Sequence, residues 1–292
     1  MIALKGAAVA ARIQQEIEAE LKDLREGGME RAPRLAIVRV GERPDDLSYE
    51  RGALKRMEKC GLESRVYAFP QDISQEEFEK AFSEINRDDG IDGILLFRPL
   101  PKQIDEKRIM ERMDPAKDLD GICPVNIAKV FSGDASGFAP CTAEAVVEVL
   151  KANDIAISGK RAVIVGRSMV VGRPLSMLLL KENATVTICH TRTEDLAGTC
   201  RGAEILVAAA GKAKMLDASC VGRGAIVIDV GINVDEEGNL CGDVDFSSLD
   251  GTASMATPVP GGVGAVTTSV LAKHLVRAVK QRPSNFGSLQ QI

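Results

Sequence analysis

The sequence predicts an α/β protein of two domains with parallel sheets, and three observations predict it. Short β-branched runs alternate with helical stretches, first over about the opening 100 residues and again from Gly159 on, and such alternation builds β/α/β layers. The chain has 292 residues, enough for about two domains of ~150 residues each. Aromatics are scarce, with no Trp, two Tyr and eight Phe, so aliphatic side chains must fill the core, which suits parallel strands covered by helices.

The chain opens with an amphipathic helix over roughly residues 7 to 27. RLAIVRVGERP, β-branched and ending in turn residues, reads as a strand, and a helix follows from about 47 to 59. SRVYAFP is the next strand. Ser74 and Glu77 form a capping box that opens another helix. DGILLFRPLP is a strand ending in a proline-rich turn. From Thr142 the helix TAEAVVEVLKAND leads into a second domain. There RAVIVG, TVTICH, AEILVAAAG and AIVIDVG are strands, GRPLSMLLLKEN is a helix, and a last helix spans about 264 to 280 after the turn TPVPGGVG. The tail RPSNFGSLQQI is expected to fray.

Composition narrows the function. The formal net charge is -5 and no Lys/Arg run marks a nucleic-acid or polybasic membrane surface. No apolar stretch approaches the ~20 residues of a membrane span. The opening segment quickly becomes charged, unlike a secretory signal. The seven cysteines form no C-x-x-C pair, so a cytoplasmic protein with reduced, buried thiols is expected. Only two His are present, which excludes a His-rich metal site, and no metal is expected.

Strand RAVIVG leads into Gly166, Arg167, Ser168 and, after three residues, Gly172 and Pro174. In the dinucleotide fingerprint G-x-G-x-x-G, glycines stand where the turn is tight and the pyrophosphate nears the backbone. Here Ser168 takes the middle position and the last glycine comes one residue late. Gly172 opens a helix whose N-terminal amides favour a phosphate, and Pro174 suits its first turn. A glycine-rich β–α turn with no ligand fits the same segment. The next strand ends at Cys189-His190-Thr191-Arg192, with no acid for a ribose 2′-hydroxyl before Glu194. Thr191, Arg192 and Arg167 suit a 2′-phosphate instead, so NADP is preferred to NAD; Arg192 also fits as a solvated loop charge.

GRSMVVGRP, ATVTICHTRT, AIVIDVGIN and TPVPGGVGAVT, with VGERPDDLSY, DGILLFRPLP, AKDLDG and PCT in the first half, resemble segments of the bifunctional methylenetetrahydrofolate dehydrogenase/cyclohydrolase family. They occur in order from about residue 35 to 270. The resemblance implies an N-terminal folate-binding catalytic domain, residues 1–141 completed by 264–292, and a Rossmann-type NADP-binding domain, 142–263. It implies a homodimer, with a tetrahydrofolate derivative as substrate. Gly166, Arg167, Ser168, Thr191 and Ile232 would touch the cofactor, beside Gly172 and Arg192. Tyr49 and Asp120 would be the catalytic and pterin-binding residues, and the turn Pro258, Val259, Pro260, Gly261, Gly262 would close over the folate. A flat pterin needs an apolar face, and its N–H edge suits a carboxylate. Without the family, Tyr49 also reads as a half-buried surface tyrosine and Asp120 as a turn residue before Gly121.

Two departures matter. The family carries a catalytic lysine four residues after its tyrosine; here that position is Ala53. Lys55 is six residues on, and at ~100° per residue it points about 240° away. The family glutamine that pairs with the lysine is replaced by Phe97, in Phe97-Arg98-Pro99. Losing both together is coherent, since either alone would leave a polar group unpaired. Cys123, Ala143 and Ala265 are smaller departures, of a kind that alters loop shape. The expected activity is therefore NADP-dependent oxidation of methylenetetrahydrofolate, with cyclohydrolase activity weak or absent. Alternatives are a fully bifunctional enzyme with Arg98 or water in place of the lysine, a non-catalytic dinucleotide-binding regulator, and an amino-acid or hydroxy-acid dehydrogenase.

Overall fold

The structure, a computed structural model, describes residues 1–282; the expected fraying of the tail beyond Arg282 lies outside the described residues. The first half runs β1 (Ile2–Ala3), α1 (Gly6–Glu26), β2 (Arg34–Val40), α2 (Pro44–Lys59), β3 (Glu63–Phe69), α3 (Gln75–Arg87), β4 (Gly93–Leu96), α4 (Glu106–Arg112), α5 (Pro124–Ser132) and α6 (Cys141–Ala152). The second runs β5 (Arg161–Val165), α7 (Gly172–Lys181), β6 (Thr185–Cys189), α8 (Leu196–Arg201), β7 (Ile205–Ala208), β8 (Ile226–Asp229), β9 (Asn233–Val234), β10 (Leu240–Cys241), β11 (Met255–Ala256) and α9 (Gly264–Gln281).

Contacts divide the chain into two compact units. One comprises Met1–Gln15, Ile127–Ala135 and Ala139–Val270, and holds a six-stranded parallel sheet ordered β1-β11-β8-β7-β5-β6. Strands β7 and β8 are apolar almost throughout and almost wholly buried, as parallel strands covered on both faces must be. The other unit comprises Glu16–Asn126, Ser136–Phe138 and the chain from Leu271, and holds the parallel sheet β3-β2-β4. Its core is built on Phe78 and Phe82 from α3 packed with Ile91, Ile94 and Ile109. The capping box at Ser74 and Glu77 is present and starts α3.

The units group the N-terminus with the larger sheet, whereas the sequence reading groups it with the first domain. The cause is β1, a two-residue strand whose Ile2 pairs with Met255 of β11. Elements this short carry no periodicity, so β1, β11, α4 and α8 left no readable pattern. Helix α2 starts at Pro44, earlier than the expected 47, with proline at its start and Asp45 and Asp46 in its first turn.

Candidate active site

At the end of β5 the backbone turns sharply at Gly166, whose φ is +134°. A Cβ on Gly166 would overlap the carbonyl oxygen of Ala209, which follows β7, and one on Gly172 would overlap the carbonyl oxygen of Gly166. Both glycines are thus required by close backbone approach. The turn lies where the strand order reverses, with β6 on one side of β5 and β7 on the other, the position at which open parallel sheets bind ligands. Ser168 fits the middle glycine's place because its Oγ accepts the Val171 N–H at 3.1 Å. No side chain caps α7, leaving its positive end to an anion.

After β6, the Arg192 N–H donates to His190 Nδ1 at 3.1 Å and the His190 N–H to Thr193 Oγ1 at 2.9 Å, shaping a turn that leaves Thr191 and Arg192 exposed. Arg167 is exposed as well. A cradle with no room for Cβ atoms, an uncapped helix start and two exposed guanidiniums fit a dinucleotide with an extra phosphate.

In the same unit a cavity of about 240 Å³ is lined by residues 229–232, Leu240 and 258–265. Ile232 is 70% exposed at its edge, and the peptide between Val259 and Pro260 is cis. Beneath these loops lie two carboxylates that the sequence reading missed. Asp229 accepts the N–H groups of Gly231, Asp243 and Val244 at 2.9–3.0 Å. Asp243 accepts those of Ala210, Gly211 and Lys212, and the Asn233 side-chain amide. Burial pushes the Asp229 carboxyl up to about 6, against the pull of its three amides. The signal was an acid within two residues of a glycine, Asp229-Val230-Gly231 at the end of apolar β8 and Gly242-Asp243 after β10.

In the other unit, Tyr49 stands half-buried on α2 and Ala53, one turn on, is fully buried. Phe97 closes against Tyr49 edge-to-face, ring centroids 5.8 Å apart and planes at 88°. Lys55 is exposed, on another face of α2. The Arg98 guanidinium turns to Glu106 at 3.4 Å and to the Met110 sulfur, and Glu106 also accepts the Leu100 N–H.

The turn bearing Asp120 is organised by its neighbours. Asp118, 1% exposed, accepts the N–H groups of Ile122 and Cys123 and the Asn126 side-chain amide at 2.9–3.0 Å. The buried Lys117 ammonium donates to the carbonyls of Asn86 and Asp88, both at 2.8 Å. His274 Nδ1 lies 2.7 Å from the Leu119 carbonyl oxygen. Gly121 takes φ +59°, and Asp120 is half-buried. Burial pushes the Cys123 thiol up to about 12, so it supplies no acid–base group at neutral pH. None of the seven cysteines is in a disulfide, and six are buried. Among the described residues no cluster of His, Cys, Asp or Glu could hold a metal, and no helix is long and apolar enough to cross a membrane.

A parallel sheet with a phosphate cradle at its switch point, joined in one chain to a second α/β unit, defines a dinucleotide-dependent enzyme of two α/β modules. The model for the tetrahydrofolate dehydrogenase/cyclohydrolase catalytic domain matches residues 4–120, and that for the NAD(P)-binding domain of the same proteins matches 140–283. The chain belongs to the tetrahydrofolate dehydrogenase/cyclohydrolase family. It is 54% identical over 277 residues to the bifunctional protein FolD of Clostridioides difficile, covering 95% of this chain and 96% of that one. The FolD dehydrogenase/cyclohydrolase structure from Campylobacter jejuni superposes with a TM-score of 0.92 at 40% identity, covering 97% and 100% of the two chains. The Trypanosoma brucei enzyme, solved with NADP cofactor and an inhibitor, gives 0.89 at 35% identity over 96% and 97%.

Proposed function

We propose that this chain oxidises 5,10-methylenetetrahydrofolate to the 5,10-methenyl form with NADP, and that its cyclohydrolase activity is weak or absent. The observation that carries the second part is the apolar pair at the acid–base position: buried Ala53, and Phe97 packed on Tyr49. Residues 142–263 bind the cofactor through Gly166, Arg167, Ser168, Gly172, Thr191, Arg192 and Ile232. Residues 1–141 with 264–292 bind the folate, Tyr49 against the pterin face and Asp120 at its N–H edge, and Pro258, Val259, Pro260, Gly261 and Gly262 help enclose it. The protein works as a homodimer in the cytoplasm, a reading supported by the family resemblance.

The bound cofactor supplies a hydride acceptor. The C–H bond of the bridging methylene breaks with its electron pair leaving the folate, and the flanking nitrogens stabilise the methenyl cation that remains. No protein base is required, so the chain contributes positioning. Hydrolysis is different: water adds to the methenyl carbon, loses a proton, and a C–N bond breaks after protonation of the nitrogen. A positioned acid–base group speeds such steps by ~10²–10⁴-fold, and neither Ala53 nor Phe97 can move a proton.

The names of the relatives favour a second reading, full bifunctionality with a substitute group. Arg98 stands nearest in sequence, but its guanidinium is engaged by Glu106. Incubation with methylenetetrahydrofolate and NADP or NAD separates the readings: reduced cofactor and methenyl product should rise together with NADP, and formyl product should lag. Formyl product keeping pace with reduced cofactor supports the second reading.

A further inference from the structure

Asp229 and Asp243 take part in none of these steps, yet six main-chain amides converge on them. The amides belong to segments that follow different strands: residues 210–212 after β7, Gly231 after β8, and 243–244 after β10. The Asp229 N–H also donates to Thr257 Oγ1 at 2.7 Å, just before Pro258. Segments on both sides of the cavity are therefore tied to this pair. The chain gives up two side chains to allow it. A Cβ on Gly231 would overlap the Asp243 carboxylate, and one on Gly242 the Asp229 carboxylate.

Two buried carboxylates close enough for Asp243 to raise the Asp229 carboxyl are a poor choice for packing alone. Carboxylates do what neutral groups of the same size cannot, because both oxygens accept from several directions. We propose that the Asp229–Asp243 pair is a positioning device for hydride transfer, holding residues 230–232 and 210–212 in place so that transfer geometry depends on it more than cofactor affinity does. This rests on the reading that the chain is an NADP-dependent dehydrogenase. Misplacement by about 1 Å can slow a reaction by ~10²-fold while leaving binding largely intact.

The test is Asp243→Asn, which keeps the size of the side chain but turns a donor toward amides that also donate. Ile205→Val, a buried change in β7 of the same sheet, is the control. In cofactor-free protein, Asp243→Asn should speed amide exchange at 210–212. Its NADP dissociation constant, by titration, should change by less than ~3-fold, while kcat falls by about 100-fold and the primary isotope effect with methylene-deuterated folate grows. Ile205→Val should lower the melting temperature and leave kcat and the isotope effect alone. An Asp243→Asn protein that loses affinity as much as kcat, or keeps the wild-type isotope effect, overturns the proposal. Should Asp243→Asn not fold, Asp229→Asn removes one acceptor only and should shift kcat and isotope effect the same way; no shift overturns it. A wild type that does not oxidise the folate sinks the underlying reading and this proposal with it.

Discussion

At the end of β5 the chain keeps two glycines that backbone contacts demand, whereas one turn past Tyr49 it has an alanine where the family places its lysine. The first region is made of main-chain groups and a helix start, and it absorbs a serine for a glycine and a late final glycine without losing its shape. The second depends on one nitrogen, and a single substitution removes it. Binding built from backbone is redundant; proton transfer built on one side chain is not. Phe97 packs edge-to-face on Tyr49, an apolar contact where the family has an amide.

The largest expected effect is on the side of Tyr49. Ala53→Lys with Phe97→Gln should raise methenyl hydrolysis by ~10²–10⁴-fold, read from the decay of methenyl absorbance. Ala53→Lys alone should gain less and lower the melting temperature, since it buries an ammonium beside Phe97. A folded double variant with no gain would contradict the assignment of the acid–base position to residues 53 and 97. On the intact side, Gly166→Ala should raise the NADP dissociation constant by ~10–100-fold, because left-handed strain and overlap with Ala209 cost roughly 1–3 kcal/mol. Unchanged NADP binding would show that the turn is not the cofactor cradle.

Asp120→Ala should cost ~1–3 kcal/mol in kcat/KM for the folate, the worth of a hydrogen bond to a buried polar edge, with NADP affinity unchanged. The reverse pattern would exchange the ligands between the two halves. Arg192→Ala should lower kcat/KM for NADP by about 10-fold and leave NAD alone; equal use of both cofactors by the wild type contradicts the 2′-phosphate assignment.

The remaining effect is a pH dependence. Asp229 titrates in the fold at about 6, above its ordinary 3.8. As pH falls through about 6 toward 4, the fold binds this proton before the unfolded chain does, so the group adds stability on acidification, at most ~3 kcal/mol, and loses it as pH rises. In urea melts, the wild type should therefore gain on Asp229→Asn between pH 7 and pH 5. A pH-independent difference would contradict the raised carboxyl.

Much of this was legible in the sequence. The strands that alternate with helices, the capping box at Ser74 and the start of α7 at Gly172 all carry local signals, and the placing of Lys55 on another face of α2 followed from helical period alone. Other features were not legible. Strand β1 exists only through its pairing with β11, Ile2 opposite Met255, and no local pattern records so distant a partner. The T-shaped contact of Phe97 with Tyr49 joins a strand end to a helix. Asp229 and Asp243 read as ordinary acids beside glycines until the fold gathers six amides around them.

The most direct measurement supplies preformed methenyltetrahydrofolate and compares its hydrolysis with and without the enzyme, at the enzyme concentration and pH where NADP-dependent oxidation of the methylene form is at full rate. The expected result is decay at the buffer rate in both samples, with oxidation intact. Enzyme-dependent hydrolysis at a rate matching the dehydrogenase turnover would contradict it and point to a substitute acid–base group near Tyr49.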